Sequence, residues 1–311
     1  MAEGRIILGD SRKMDDVADG SVHLIITSPP YNVEKPYDSH SDDLSLDTYL
    51  EMLRDVWIEC YRVLVPGGRL CVNVANLFRS PYLPLNALIT QQITGELPKL
   101  DCRFLMRGEI IWDKSMSVGA STAWGSFGSP TNPTLRDQHE YVMIYSKDRF
   151  ARKRYEGAVA DIHPDDFAKW TKSLWAMATA KAKGIGHPSP FPEELPARLI
   201  QLYTFRGECI LDPFMGSGTA CLAAKRLGRD WVGYDTSAEY VRLARDRVEA
   251  TEEEPFDPEE LVALRERRRA ERQGKKFRDG RKRSRKTPER LIDQAVSGGG
   301  GSGGRQDRRT R

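Results

Sequence analysis

The sequence predicts an α/β fold with a mostly parallel sheet and helices on both of its faces. Apolar runs of strand length alternate, along most of the chain, with segments whose apolar residues recur at helical spacing. Such alternation is typical of a parallel sheet with crossover helices. The 311 residues, of which 39% are hydrophobic, are enough for one large domain or two modest ones.

The predicted elements follow one another regularly as far as residue 250. A strand at 5–8, a short helix and a strand at 22–26 come first, and a helix at 46–65 ends at a Pro-Gly-Gly turn. The later predicted elements are a strand at 69–74, a helix at 83–93, strands at 104–112 and 141–146, a helix containing Pro196, a strand ending at Leu211, a helix after its glycine loop, a strand at 231–235 and a helix at 237–250.

Four segments interrupt or extend this pattern. Residues 115–136 form a loop rich in Ser, Gly, Pro and Thr, and a loop of that length in a compact domain is more often functional than idle. Residues 149–186 are basic, have weak periodicity and are interpreted as an insertion. We predict one domain over residues 1–250, a basic and partly helical extension over 251–296, and a disordered glycine-rich tail over 297–311.

The net charge of +3 hides an asymmetry between the domain and the tail. Residues 265–311 contain 18 Lys and Arg against 6 Asp and Glu, a net +12, so the remaining residues carry 3 − 12 = −9. A basic tail is usually solvated, and it can also bind polyanions such as DNA or RNA. Both interpretations stay open from the sequence.

The cysteines and the hydropathy pattern exclude several classes of protein. The five cysteines include no CxxC pair and the five histidines are dispersed, which argues against a metal site or a disulfide framework and suits a reducing compartment. Apolar runs all fall short of the roughly 20 residues that span a bilayer. The first residues, MAEGRIILGD, lack the pattern of a signal peptide. We predict a cytoplasmic protein without a metal.

The stretch ILDPFMGSGTA predicts a ligand site at the end of a strand. Asp212 stands at the strand tip, and Gly216, Ser217 and Gly218 open a helix. In open α/β sheets, ligands bind beyond the carboxyl ends of the strands, where glycines admit a ligand to the backbone and a helix N-terminus offers free N–H groups. The stretch is neither GxGxxG nor a P-loop. A tight turn without a ligand is the alternative.

Asp235 ends the next predicted strand, in the stretch VGYDTS. An acidic residue at this place commonly holds ribose hydroxyls, although it could also cap the following helix. The ligand is therefore expected to contain a nucleoside with a carboxylate or amine near the glycine loop. S-adenosylmethionine fits both ends.

The stretch TSPPYN, residues 27–32, follows the predicted strand at 22–26. Two consecutive prolines do not continue a sheet, because proline removes a ladder donor and restricts the residue before it. The stretch predicts a rigid polar turn with an aromatic tip, Tyr31, at the mouth of a buried strand.

The two motifs together resemble the S-adenosylmethionine-dependent DNA amino-methyltransferases, which methylate cytosine at N4 or adenine at N6. The resemblance covers most of residues 4–250 and includes GDS, TSPPYN, HPSPFP, DPFMGSGT and GYD. The catalytic motif precedes the cofactor motif by about 180 residues, an order that resembles the β group of the family. The resemblance implies a circularly permuted Rossmann-like methyltransferase fold, in which the strands ending in TSPPY and DPFMG lie side by side where strand order reverses.

The resemblance also implies a mechanism. The amine on a base ring is a poor nucleophile because its lone pair is delocalised, and acceptors for its N–H hydrogens pull it toward tetrahedral geometry. Ser28 and the carbonyl of Pro29 are the expected acceptors, Pro29 and Pro30 fix the turn, and Tyr31 stacks on a flipped-out base. The methyl group is transferred directly, without a covalent enzyme intermediate.

The residues expected to contact the cofactor and the DNA follow from the motifs. Asp10 is expected near the cofactor adenine, although it could simply cap a short helix, and His187 could be structural. The expected cofactor contacts are Asp10, Ser11, His187, Pro188, Phe191, Asp212, Pro213, Phe214, Gly216, Ser217, Gly218, Thr219 and Asp235. The expected DNA contacts are Trp124, Asn132 and Arg136 in the loop 115–136, and Arg152, Lys153 and Arg154 in the insertion 149–186, a candidate target-recognition segment.

The target base and the substrate class leave alternatives. Ser at position 28 is associated in the family mainly with N4-cytosine enzymes, but a hydroxyl both donates and accepts, so physical chemistry does not forbid N6-adenine. Motif order argues against an RNA or protein methyltransferase, and the intact motifs argue against a non-catalytic DNA-binding protein. Double-stranded DNA is the expected partner, with a homodimer and a cognate restriction endonuclease as further expectations, in a prokaryote or phage.

Overall fold

The structure is a computed structural model that describes residues 2–30, 44–77, 81–117, 125–180 and 191–278. The chain forms two units, Met1–Leu261 and Val262–Arg311. The first unit contains the sheet and the helices that pack on it. Within the described ranges, no helix is long and apolar enough to cross a membrane.

The described residues contain a mixed sheet of eight strands. The spatial order is β1-β8-β7-β2-β3-β5-β4-β6, and only the β3–β5 and β5–β4 pairs are antiparallel. The strands are β1 (Gly4–Leu8), β2 (Val22–Thr27), β3 (Leu64–Val74), β4 (Phe104–Asp113), β5 (His139–Lys147), β6 (Leu174–Ala176), β7 (Cys209–Asp212) and β8 (Asp230–Asp235). The predicted fold class, a mostly parallel α/β sheet, is confirmed.

Helices cover both faces of this sheet. They are α1 (Leu46–Val63), α2 (Leu85–Gln91), α3 (Pro164–Trp170), α4 (Glu194–Tyr203), α5 (Thr219–Arg226) and α6 (Ala238–Glu249). A further helix, α7 (Pro258–Arg278), continues from the first unit into the second. Ser45 caps α1 and Ser237 caps α6, each through its side-chain oxygen, as small hydroxyl residues do at helix starts. After α2, the chain continues through a π turn, Gln92–Glu96, and a 3-10 turn, Leu97–Leu100.

Strand order reverses between β2 and β7. From β2 the chain crosses through α1 to β3 on one side, and from β7 it crosses through α5 to β8 on the other. The β2 and β7 strands pair in parallel, with Leu24 opposite Ile210 and Ile25 opposite Leu211. Such a switch point leaves a crevice beyond the strand ends, because the crossovers leave the sheet in opposite directions.

Alternating side chains divide the core between the two faces of the sheet. Ile25 and Leu211 pack with α1 and α2, whereas Leu24, Ile26 and Ile210 pack with α4 and α5. This period-2 division explains why the central strands are apolar at nearly every position. On the first face the tryptophan of α1, at position 57, is fully buried, and truncating a tryptophan in such a place costs about 3–5 kcal/mol.

Three local predictions differ from the structure. Residues 11–20 form turns rather than a helix, although Met14 and Val17 are buried. The Pro-Gly-Gly turn lies inside β3, as a bulge that shifts the pairing with β2 between Val22 and Leu24. The insertion 149–186 contributes α3 and the edge strand β6, a strand too short to show a period in sequence.

Two arginine–carboxylate clusters close the edge at which β2, β7 and β8 begin, which we call the amino edge. Arg229 is fully buried and binds Asp161 through both terminal nitrogens. Arg152 binds Glu208 through two bonds of 2.7 Å, and Glu208 is 2% exposed. Both pairs have the bidentate geometry that makes arginine–carboxylate pairs strong.

Candidate active site at the carboxyl edge

The residues predicted to carry the chemistry converge at the opposite edge, where β2, β7 and β8 end. We call it the carboxyl edge. Thr27, Asp212 and Asp235 are the last residues of these three strands, and Gly9 follows β1 and donates its N–H to the Asp235 carbonyl at 3.0 Å. The structure thus brings the TSPP and DPFMGSGT motifs together on neighbouring strands, although they lie far apart in sequence.

The glycine loop between β7 and α5 is held in a conformation that requires glycine. Gly216 and Gly218 have φ values of 49° and 78°, in the left-handed region. A Cβ on Gly218 would lie 2.8 Å from the Cβ of Ala244 on α6. Arg247, also on α6, donates to the carbonyl of Ser217, so α6 braces the loop from behind.

Asp235 organises the backbone of this loop. Its carboxylate accepts from the N–H of Gly216 at 2.9 Å and from the N–H of Ser237 at 2.8 Å. Burial raises the pKa of Asp235 although these N–H donors favour the charged form. Ser237 rather than Asp235 caps α6, and the Asp235 carboxylate ties β8 to the glycine loop and to the residue that caps α6.

Asp212 is the most deeply buried carboxylate at this edge, with 1% of its surface exposed. Burial raises its pKa to about 7, and the neighbouring Thr27 hydroxyl and the N–H of Phe214 oppose the shift only in part. The other titratable groups that face it are Asp235, Cys60 and Cys221. Within the described residues, no lysine or arginine pairs with Asp212.

The catalytic motif is described only as far as Pro30. Ser28 and Pro30 are partly exposed and Pro29 is buried, immediately beyond the last residue of β2. Tyr31 lies outside the described residues, so its predicted stacking role stays a prediction.

The remaining predicted cofactor residues occupy varied environments. Asp10 binds Arg12 in an exposed ion pair of 2.6 Å, and Ser11 beside it is buried. Phe214 packs edge-on against the buried tryptophan of α1, with ring centroids 6.5 Å apart. Phe191 packs on the α4–α5 side of the core. Around the glycine loop and the start of α5, the buried residues are Pro213, Ser217 and Thr219. Two predicted contacts, His187 and Pro188, lie outside the described residues.

Part of the predicted DNA loop is described, and it follows β4 at the carboxyl edge. Residues 125–136 include a compact turn in which the N–H of Ser126 donates to the Asn132 carbonyl at 2.9 Å. Asn132 and Arg136 are exposed, and Phe127 is 80% exposed. Trp124 lies outside the described residues.

The predicted DNA contacts of the insertion lie elsewhere. Because β5 runs antiparallel to β3, residues 148–154 follow it to the amino edge, away from the TSPP motif. Arg152 binds Glu208, and Arg154 donates to the Ala158 carbonyl at 2.9 Å. Lys153 is exposed and shares their location. Arg152, Lys153 and Arg154 therefore lie at the opposite edge of the sheet from the TSPP motif.

Sequence reasoning missed a polar cluster at the carboxyl edge. Glu140 on β5 accepts from Asn73 on β3 at 2.6 Å and from Lys114 after β4 at 2.7 Å. From the sequence, His139 and Glu140 are expected only as scaffold before a strand, whereas both lie within β5. In the described part of the chain, no group of three or more His, Cys, Asp or Glu residues is placed to hold a metal ion.

Comparisons with known proteins agree with this geometry. Residues 22–246 match the family N6_N4_Mtase, described as DNA methylase. The type II methyltransferase M.MjaI of Methanocaldococcus jannaschii is 30% identical over 287 residues, covering 78% of this chain and 90% of that protein. The DNA adenine methyltransferase YhdJ of Escherichia coli is 26% identical, covering 85% of this chain and 88% of that protein.

A solved structure shows the same architecture. It is a protein of Thermus thermophilus, provisionally named a DNA modification methylase and solved with S-adenosyl-L-methionine. The TM-score is 0.61 at 29% identity, over 83% of this chain and all of that chain.

Proposed function

The chain belongs to the N6/N4 DNA methylase family, and on this premise we propose that it transfers a methyl group from S-adenosylmethionine to the exocyclic N4 amine of cytosine in double-stranded DNA. S-adenosylhomocysteine is the other product, and the amine loses one proton to solvent. The observation that carries the proposal is the parallel pairing of β2 with β7. This pairing sets the predicted amine-binding motif, TSPP, beside the predicted cofactor motif, DPFMGSGT, at the switch point of the sheet.

The residues at the carboxyl edge fit S-adenosylmethionine. The cofactor is a nucleoside with a sulfonium cation and an amino-acid end, and it supplies an activated methyl group when bound. Asp212 and Asp235 are carboxylates without a described lysine or arginine partner, so they suit a cationic ligand. We assign the ribose hydroxyls to Asp235, the adenine end to Asp10 and Ser11, and the amino-acid end to the glycine loop. The remaining predicted contacts are Phe191, Pro213, Phe214, Thr219, His187 and Pro188.

The TSPP turn is proposed to prepare the amine for methylation. The Ser28 hydroxyl and the Pro29 carbonyl accept the two N–H hydrogens and so localise the nitrogen lone pair. Pro29 and Pro30 hold these acceptors in place before the base arrives, so little reorganisation is required during transfer. Tyr31 would stack on the flipped base, a contact worth about 1–3 kcal/mol.

The choice of cytosine rests on Ser28, and adenine N6 is the second candidate. A hydroxyl can accept from either amine, and the relative from E. coli is named a DNA adenine methyltransferase. The two bases differ in ring size, so the pocket around residue 28 decides between them.

The DNA is proposed to approach the carboxyl edge. Asn132, Arg136 and exposed Phe127 lie on the described part of the loop that follows β4, and Trp124 belongs to the same loop. Arginine and asparagine are common readers of phosphates and base edges. The net charge of +12 over residues 265–311 would add sequence-independent attraction to DNA. A homodimer and a cognate restriction endonuclease remain predictions.

The deciding experiment is mass spectrometry of nucleosides from plasmid DNA incubated with the purified protein and S-adenosylmethionine. We expect N4-methylcytosine with the intact protein and none with Ser28→Ala, which removes one amine acceptor. N6-methyladenine would keep the mechanism and overturn the choice of base. Absence of any methylated base, from protein that binds S-adenosylmethionine, would overturn the DNA activity.

A further inference from the structure

Three polar side chains, from β3, from β5 and from the residue that follows β4, form a largely buried cluster at the carboxyl edge. The Asn73 amide donates to one Glu140 oxygen at 2.6 Å, and the Lys114 ammonium donates to the other at 2.7 Å. Asn73 is 2% exposed, and the side chains of Glu140 and Lys114 are 10% and 18% exposed. We call these residues the Asn73 cluster.

A buried polar cluster of this kind is often no more stabilising than apolar residues of similar volume at the same positions. Taking a carboxylate and an ammonium out of water is expensive, and their attraction often only offsets that cost. The same face of the sheet is otherwise apolar here, with Trp112, Val142 and Trp175 in its core. A cluster retained among such neighbours indicates a role other than holding the strands together.

The strand register brings the catalytic motif alongside β3. Thr27 of β2 pairs with Val72 of β3 in parallel. Ser28 and Asn73 are the next residues along these two strands. The preceding pair, Ile26 and Cys71, faces the α4–α5 side of the core. Because side chains alternate, Ser28 and Asn73 follow on that same side if the pairing continues by one residue.

The chemistry of Glu140 fixes which way the Asn73 amide points. An ionised carboxylate only accepts hydrogen bonds, so the amide nitrogen must face Glu140 and the amide oxygen must point away from it. Lys114 donates to the second Glu140 oxygen, so both carboxylate oxygens accept a hydrogen bond within the cluster. The amide oxygen is therefore held as a hydrogen-bond acceptor with a set direction.

We propose that the Asn73 cluster positions the Ser28 hydroxyl, with the Asn73 amide oxygen accepting the Ser28 proton in the active enzyme, a hydrogen bond that the described residues do not themselves contain. A hydroxyl can donate or accept, and a serine that must accept an N–H from the target amine works best when its own proton is engaged elsewhere. Asn73 is too deeply buried to touch the base, so the three residues are positioning residues that act through Ser28. The proposal rests on the proposed function, and it deepens that function by naming what prepares the acceptor.

Glu140→Gln is the first test. Glutamine is nearly isosteric but can both donate and accept, so it no longer forces the Asn73 amide into one orientation. We expect single-turnover methyl transfer to fall about 100-fold, the size of effect that a small misplacement produces in a preorganised site. The dissociation constant for S-adenosylmethionine, measured by equilibrium titration, should change less than about threefold, because the cluster does not line the glycine loop.

The sharper test is rescue by the swapped pair Asn73→Asp with Glu140→Gln. The new side-chain amide at position 140 can then donate to the new carboxylate at position 73. Both oxygens of that carboxylate are acceptors, so an acceptor again faces Ser28. We expect the double variant to transfer methyl groups at least about tenfold faster than Glu140→Gln alone, because the preorganised contact is restored. A cluster that serves only the fold predicts no rescue beyond any recovery of the thermal midpoint.

Glu208→Gln is the matched control. It makes the same substitution at a carboxylate that is buried more deeply still, with 2% of its side chain exposed, and that binds Arg152 at the amino edge. It should lower the thermal midpoint and leave methyl transfer by the folded protein unchanged. If the swapped pair fails to fold, Asn73→Ala replaces it, since Glu140→Gln should have no further effect on methyl transfer in that background.

The outcomes separate this proposal from the proposed function. An active wild-type protein in which Glu140→Gln leaves the rate unchanged, or in which a folded swapped pair shows no rescue, overturns the positioning role alone. Absence of methyl transfer to DNA by the wild-type protein overturns the proposed function first. An additive effect of Glu140→Gln and Asn73→Ala would also contradict the proposal.

Discussion

The carboxyl edge and the amino edge of the sheet both bury carboxylates, but they surround them differently. At the amino edge, Asp161 and Glu208 each bind an arginine through two bonds. At the carboxyl edge, the described hydrogen bonds to the Asp212 and Asp235 carboxylates come from backbone N–H groups, and burial raises the pKa of both.

Under the proposed function, this difference separates two arginine-paired carboxylates that serve the fold from two carboxylates that contact the cofactor. A buried carboxylate that binds an arginine through two hydrogen bonds has its negative charge compensated, and the pair stabilises the junction of the strands it joins. A buried carboxylate without a cation is costly, and such groups cluster where a ligand or reaction uses them. The charged residues of the insertion therefore belong in part to the fold, since Arg152 and Asp161 take part in the amino-edge clusters.

The largest expected effect is the loss of Arg229. Arg229→Met leaves Asp161 buried with its main partner removed, and we expect the free energy of unfolding to fall by about 3–5 kcal/mol. Methyl transfer per folded molecule should be unchanged. Urea denaturation measures the first quantity and single-turnover kinetics the second.

Arg226→Met is the control for Arg229→Met. Arg226 also pairs with carboxylates, Glu193 and Glu254, but its side chain is 39% exposed, so its loss should cost less than about 1 kcal/mol. Equal losses for the two variants would show that the amino-edge clusters are not special.

A smaller and pH-dependent effect is expected from Asp212. The folded protein holds its proton up to about pH 7, the raised pKa of this carboxyl, whereas the unfolded chain releases it near the ordinary pKa of 3.8. The stabilising contribution is therefore complete below about pH 4 and is lost as the pH rises through 7. About three pKa units correspond to roughly 4 kcal/mol as an upper limit.

Asp212→Asn should remove this pH dependence, because asparagine does not titrate. The variant should be more stable than the wild type at about pH 8 and similar to it at about pH 4, as measured by denaturation at both values. Asp19→Asn, at an exposed carboxylate, is the control and should leave the slope in place. An unchanged slope in Asp212→Asn would mean that other groups cause the dependence.

The smallest expected effect is the difference in stability cost between alanine substitutions at two glycines with similar φ values. Gly218 and Gly207 have φ values of 78° and 75°, but a Cβ on Gly207 meets nothing within 4 Å, whereas on Gly218 it meets Ala244. Gly207→Ala should cost about 1 kcal/mol from the backbone alone. Gly218→Ala should cost about 2–3 kcal/mol and weaken S-adenosylmethionine binding. Equal costs, with binding intact, would show that the glycine loop tolerates displacement.

The parts of the site that could be predicted from sequence are those that depend only on residues close together in the chain. Two prolines after an apolar run predict a rigid turn at a strand end, and Gly216 and Gly218 after Asp212 predict a glycine loop; the structure ends β2 before the prolines and has the glycine loop. The pairing of β2 with β7 was expected from the family resemblance and is present.

The rest depends on partners that are distant in sequence. The sequence predicts that Arg152 binds DNA, because it belongs to a basic segment. Its partner in the structure, Glu208, lies 56 residues away, and no local pattern connects the two residues. The sequence predicts only a scaffold role for Glu140. Its bonds to Asn73 and Lys114 could not be foreseen, because these residues meet only when β3, β5 and β4 pair. Burial and register decide both cases.

The central claim is that the carboxyl edge performs methyl transfer and the amino edge does not. The most direct measurement is the single-turnover rate of tritiated methyl transfer from S-adenosylmethionine to duplex DNA for Ser28→Ala and Glu208→Gln, corrected for the folded fraction. The account predicts a rate at least about 100-fold lower for Ser28→Ala and a wild-type rate for Glu208→Gln. A folded Ser28→Ala protein that retains the wild-type rate would contradict it.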